Sequence, residues 1–387
     1  MNVRAVAGVL VLTLLVAACG STSDRSVQRA SRTAAQPCSD NQTRFETGGW
    51  KTDFSRHSVP LCQITSGGPP RDGIPPLDRP KFASVAEASA WLKPKEPVIQ
   101  LSLGSDHRAY PLQILIWHEI ANDVVGGIPV TVTFCPLCDT AIVFDRRLDG
   151  RVLDFGTTGN LRNSDLVMWD RETESWWQQV GGEAIVGRLT GKYLSMLPAS
   201  ILSWGTFRDS FPAGRVLSRD TGFDRPYGAN PYLGYDRVDS PPFLYQGPLD
   251  GRLPPKERVV VVSMNGETVA YPFPLLQKRR VVTDSVGGMA IVVLFQPGTT
   301  SALDQDSIAD SADVGATGVF QPIGDGTALT IFWRDGAFVD KQTDSEWNLL
   351  GHGVSGPLAG KQLPPVIHTD TFWFAAAAFN PSTRIFS

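Results

Sequence analysis

Apolar positions along the chain alternate or recur at helical spacing in short runs, and long runs of either kind are few. Val98 to Leu103 alternates as a strand, and Arg108-Ala109-Tyr110 predicts a second, joined through a turn at Gly104-Ser105-Asp106. After Pro111, the residues Leu112, Leu115, Ile116 and Ile120 fall at helical spacing, and Gly126-Gly127 is expected to close that helix. On such a helix His118 and Asn122 share a face, with Glu119 and Asp123 beside them. Val130, Val132 and Phe134 then point to one side of a strand, and Thr131, Thr133 and Cys135 to the other. Ala141 to Phe144 is again β-like, which places Cys135-Pro136-Leu137-Cys138 at the tip of a hairpin. Further strands are predicted near Arg151–Phe155, Leu166–Trp169 and Trp176–Val180, and a helix over Pro198–Phe211. Ser84-Val85-Ala86-Glu87 is a capping box that opens a short helix toward Leu92.

The pattern breaks in four places, and these breaks set the domain plan. Residues 1–19 read as a lipoprotein signal peptide: Arg4 supplies the positive start, Val6 to Ala18 the apolar run, and Val16-Ala17-Ala18-Cys19 resembles a lipobox. Cleavage before Cys19 and acylation of its sulfur would anchor the chain to the cell membrane on its extracytoplasmic face. Residues 20–45 are a polar tether, 46–80 an irregular arm, 81–222 a first module, 223–256 a Pro/Gly-rich crossover and 257–387 a second module. In an extracytoplasmic setting Cys38 and Cys62, on either side of the arm, are a candidate disulfide; the alternative is two separate thiols. The chain's 37 Gly and 29 Pro suit a turn-rich β body, and a net charge of -4 gives no field for nucleic acid.

The second module repeats the first. Ala109-Tyr110-Pro111 matches Ala270-Tyr271-Pro272, and Asp123 with Gly126-Gly127 matches Asp284 with Gly287-Gly288, at one offset of 161 residues. Trp177 corresponds to Trp347, and Trp204, Pro212 and Arg215 correspond to Trp373, Pro381 and Arg384. The expected fold is therefore α+β, β-rich, with two tandem pseudo-repeated modules packed as one body. The copies differ where chemistry is concerned. Lys278-Arg279-Arg280 stands against Trp117-His118-Glu119, and Gln296-Pro297-Gly298-Thr299 against Cys135 to Cys138. Asp123, Gly126 and Gly127, which both copies keep, are read as structural.

Cys135 and Cys138 are spaced as in a metal knuckle, with Asp139 suited to the left-handed turn that follows the second cysteine. His118 is the candidate third ligand, and Glu119, Asp139 or water the fourth; two cysteines and one histidine suit zinc or Cu(I). Glu119 is also the candidate catalytic residue, and His118 or Glu119 could assist proton transfer. Two other readings stand beside this. Cys-Pro-Leu-Cys resembles the glutaredoxin motif, although Thr140 to Phe144 favour a strand where that motif opens a helix. A buried, inert pair would instead fit a non-catalytic envelope scaffold whose repeated surface binds another protein.

The run Arg108 to Leu112, Trp117 to Asp123, Val125 to Cys138 and Phe144-Asp145-Arg146 resembles the DUF3179 family of bacteria and archaea, as do Ser66 to Pro75 and Phe372-Trp373-Phe374-Ala375. The resemblance covers roughly residues 50–387 and implies no activity, since the family's function is unknown. Cys62 departs from the polar residue expected at its position, so a Cys38–Cys62 bridge would belong to this chain and not to the family.

Overall fold

Strands dominate the computed structural model, which describes residues 43–387. The leader, the lipobox with Cys19, most of the tether, and Cys38 lie outside the described residues. Cys62 is buried in a 3-10 turn over Leu61–Gln63. No helix among the described residues is long and apolar enough to cross a membrane.

Three five-stranded sheets build residues 64–217. One runs Ser195–Leu197, Thr140–Asp145, Ile128–Cys135, Ile120–Val125 and Leu77–Asp78 in spatial order. A second runs Ile64–Ser66, Phe155–Arg162, Asp165–Asp170, Trp176–Gln178 and Ala184–Val186. The third holds Pro97–Leu103 and Asp106–Pro111, flanked by Ala199–Ser203 on one side and by Arg215–Leu217 and Phe82–Ser84 on the other. Beyond residue 257 a four-stranded sheet, ordered His368–Phe372, Arg258–Met264, Glu267–Pro272 and Arg384–Ile385, is joined by a three-stranded sheet over Val281–Val286, Met289–Gln296 and Ala316–Phe320. The largest apolar core runs through both regions: Phe134, Cys135, Cys138, Phe155 and Met168 share it with Leu303, Phe372 and Phe374.

The predicted capping box forms. Ser84 accepts from the Glu87 amide while the Glu87 carboxylate accepts from the Ser84 amide, and a helix follows over Val85–Ala88. The helix after Pro111 is shorter than its apolar spacing suggests. It covers Leu112–His118 and ends at Glu119, whose φ of 57° is left-handed. Ile120–Val125 is a strand paired antiparallel with Ile128–Cys135, and Gly126-Gly127 is the hairpin turn between them. The reason lies in the sequence Ile-Ala-Asn-Asp-Val-Val. On a strand, Asn122 reaches the Phe155 carbonyl and amide, and Asp123 accepts from Arg108 and from the Tyr110 hydroxyl. A helix would forfeit all of these bonds. Gly126 is held to glycine because a Cβ there would lie 2.4 Å from the Leu103 carbonyl oxygen, at a φ of 54°. Likewise Pro198–Phe211 is half strand, Ala199–Ser203, before the helix Trp204–Ser210.

Candidate metal centre

The cysteines sit where the alternation puts them. Cys135 ends one strand and is paired in register with Thr140, which begins the next; Pro136 to Asp139 make the tip. Asp139 has a φ of 52°, the left-handed turn expected after the second cysteine. Both sulfurs are free thiols, and both residues are buried.

The third donor beside them is Asp165. Its carboxylate and the two sulfurs all lie within 4.8 Å of one another, the one group of this kind among the described residues. Asp165 follows a turn in which Asn163 and Ser164 both have positive φ, and this turn delivers its side chain inward. Gln178 Nε2 donates to Asp165 Oδ2 at 2.5 Å and the Val180 amide donates at 3.0 Å, while Oδ1 has no hydrogen-bond partner. The Ser164 carbonyl accepts from the Cys138 thiol at 3.4 Å.

Burial, followed by neighbouring acids, sets the protonation. Burial pushes Asp165 up to about 6, against the pull of the Val180 amide, Gln178 and the thiols. Burial, then the charge of Asp165, pushes Glu119 up to about 8. Both thiols are raised, chiefly by burial, Cys138 well above the usual thiol value. Burial thus favours the thiol form of both cysteines and raises both carboxyls beside them.

His118 does not join this group, which corrects its expected place as third ligand. Its Nδ1 lies 2.7 Å from the Pro75 carbonyl, which can only accept, so Nδ1 carries the proton. Its Nε2 lies 2.6 Å from the Tyr227 hydroxyl. Both ring nitrogens are therefore committed to tying the arm and the crossover to the helix end. Asp139 is also no ligand. Its carboxylate accepts from Arg258 Nε at 2.8 Å, and Arg258 Nη2 donates to Asp236 at 3.0 Å. Glu119 stays near the group: the charge of Asp165 reaches it, and its own charge reaches Tyr232.

The crossover and the second region enclose the tip. Tyr235 donates from its hydroxyl to the Leu137 carbonyl at 3.1 Å, and Ser164 Oγ donates to the Phe243 carbonyl at 2.6 Å. From the other side the Phe372 amide donates to the Cys138 carbonyl at 2.9 Å, as does the Thr371 hydroxyl at 3.0 Å. Residues 223–256 are thus an ordered cover over the cysteines.

Raised carboxyls have a consequence for stability. A native carboxyl that holds its proton above the unfolded value makes the native state bind more protons, so stability is full below the unfolded pKa and falls as pH rises toward the folded one. Glu119, at about 8 against 4.5, contributes this loss between roughly pH 4.5 and 8. Metal-free protein is expected to unfold more readily at pH 8 than at pH 5.5, and Glu119→Gln to flatten that slope. Urea unfolding in a chelating buffer at both values measures it; parallel pH slopes for the parent and the variant would contradict the assignment.

A β-rich α+β body that encloses a reduced cysteine hairpin beside a buried carboxylate is the class of protein the fold and site define. The chain belongs to the DUF3179 family, described as "Protein of unknown function (DUF3179)", which it matches over residues 71–383. No curated protein and no solved structure matches it.

Proposed function

We propose that this chain is a lipid-anchored extracytoplasmic protein that binds one zinc ion through Cys135, Cys138 and Asp165. The observation that carries the reading is the mutual approach of three buried donors, all within 4.8 Å of one another. Two donors on one tetrahedral zinc, at bond lengths of about 2.0–2.3 Å, stand roughly 3.5–3.8 Å apart, within reach of the spacing found here. An oxygen donor where an imidazole was expected favours zinc over Cu(I), which prefers softer ligands. Glu119 stands by the fourth position, as ligand or as base for a bound water. The lipobox at Val16 to Cys19 supports the membrane address.

Thiol–disulfide exchange is the second reading, favoured by the contact of a carboxylate with both sulfurs. Against it stands the burial of both cysteines under the crossover, since exchange needs a partner's sulfur to reach them. Zinc affinity measured against a competing chromophoric chelator separates the two. Ligation by two thiolates releases two protons, so affinity should rise about a hundredfold per pH unit between pH 6 and 7.5. A pH-independent affinity would exclude thiolate ligation.

We also propose that the body arose by tandem duplication, with the site kept in one copy. Several pairs support this. Tyr110 donates to Asp123 as Tyr271 does to Asp284. Trp177 donates to Asp170 as Trp347 does to Asp340, with Thr173 and Thr343 bonded alike. The final short strand pairs parallel in both regions, Arg215 with Arg108 and Arg384 with Val269. A chain of residues 257–387 alone is expected to bind no zinc in the same competition assay, and stoichiometric binding by it would refute the assignment of the site to the first copy.

A further inference from the structure

Gln178 and Val180, which hold Asp165, also line a cavity of about 460 Å³. Its walls come from both regions of the chain, and its size is that of a pocket for a small organic molecule. Ile142, Met196, Val261, Ile367 and Phe379 give it an apolar lining.

Arg162 is the cation in that lining. Among the described residues the buried arginines are paired, Arg108 with Asp106 and Asp123 and Arg146 with Asp154, and the half-buried Arg258 pairs with Asp139 and Asp236. Arg162 has amide partners instead. Its Nε donates to Gln63 Oε1 at 3.0 Å and its Nη1 to Gln178 Oε1 at 3.3 Å. Among the described residues no carboxylate lies within 4.0 Å of it; Glu183 and Asp165 act on it only from farther away. Arg162 is half-buried; burial lowers its proton affinity, offset in part by the charges of Glu183 and Asp165. A guanidinium in this setting is a fork for a planar anion. Glu183 is the one carboxylate in the lining; it opposes any negative group there and a second one most, so the ligand carries a single charge. We infer that this cavity binds a small organic monocarboxylate, its charged group on Arg162 and its apolar body along Ile142, Met196, Val261 and Phe379.

The site does not depend on the metal. Gln178 nonetheless accepts from Arg162 and donates to Asp165, so the two sites share one side chain.

Octanoate is the probe, titrated calorimetrically into residues 20–387, which contain every element described above, in chelating buffer. One saturable site is expected. Octanamide, equal in shape and uncharged, should bind about ten- to a hundredfold more weakly, and Arg162→Gln should lower octanoate affinity by a similar factor. Ala378→Phe, which adds a ring to the cavity lining, should abolish binding while the protein still unfolds cooperatively near the parent's temperature. No saturable binding by the folded parent would overturn the inference. So would equal affinity for octanamide, or unchanged octanoate affinity in either folded variant.

Discussion

Asp165→Asn is expected to weaken zinc binding more than a hundredfold, and His118→Ala to leave it unchanged. Zinc bound by a small structural site is worth about 10–16 kcal/mol at neutral pH, so one of four positions carries roughly 3 kcal/mol. A carboxamide in place of the Asp165 carboxylate would retain the hydrogen bonds from Gln178 and Val180 only in part and would offer no negative oxygen to the ion. Cys135→Ser should remove stoichiometric binding altogether, since the hydroxyl replaces a thiolate. His118 bonds Pro75 and Tyr227 through both ring nitrogens, so its loss is not expected to reach the ion. Its removal leaves the Pro75 carbonyl and the Tyr227 hydroxyl without this partner. That should destabilise the fold by about 1–3 kcal/mol at unchanged zinc affinity. Competition titration of the three variants beside thermal unfolding separates these effects. A fall in affinity for His118→Ala as large as that for Asp165→Asn would restore the histidine as a ligand.

The second large effect concerns Arg258, which bridges Asp139 at the hairpin tip to Asp236 of the crossover and is itself bonded to Ser301. Truncation to alanine strips the largely buried Asp139 carboxylate of its cation and leaves Asp236 only the more distant Lys256. A loss of about 3–5 kcal/mol is expected, enough to unfold a protein of ordinary stability. The deficit should shrink on acidification, because protonation of Asp139 relieves its share of it. Burial already pushes Asp139 upward despite the arginine, and removing that cation pushes it further. Arg258→Lys keeps the charge and loses the fork, so it should fall between the two. Urea unfolding at pH 7 and pH 5 checks this; a deficit that is equal at both values would mean that packing beside Phe372, not charge, is what Arg258 supplies.

The hairpin is legible in the sequence because its determinants are local. Strict alternation from Val130 to Cys135, a proline inside the tip and an aspartate after it specify two strands and a tight turn. The capping box at Ser84 is legible for the same reason. The third donor is not, because Asp165 belongs to another sheet, and only pairing between distant strands brings it to the sulfurs. One local signal does exist: Asn163-Ser164 marks a turn, and an acid directly before Leu166-Val167-Met168-Trp169 enters an apolar strand where a charge needs a reason. The helix through His118 misleads because Leu112, Leu115, Ile116 and Ile120 share a helical period although the chain turns at Glu119. Left-handed backbone at a glutamate carries no sequence signature, and the bonds of Asn122 and Asp123 that make the strand preferable are all nonlocal. The crossover's composition points to an ordered loop or a cover, and Tyr235 and Ser164 supply the contacts that make it a cover.

The central claim, a metal held by Cys135, Cys138 and Asp165, is tested most directly by metal content. Residues 20–387 purified anaerobically without chelator should carry about one equivalent of zinc, with two cysteine thiols titrating only after the metal is removed. Protein that carries no metal, and whose Cys135 and Cys138 titrate only after reduction, would contradict the metal site and identify a disulfide in its place.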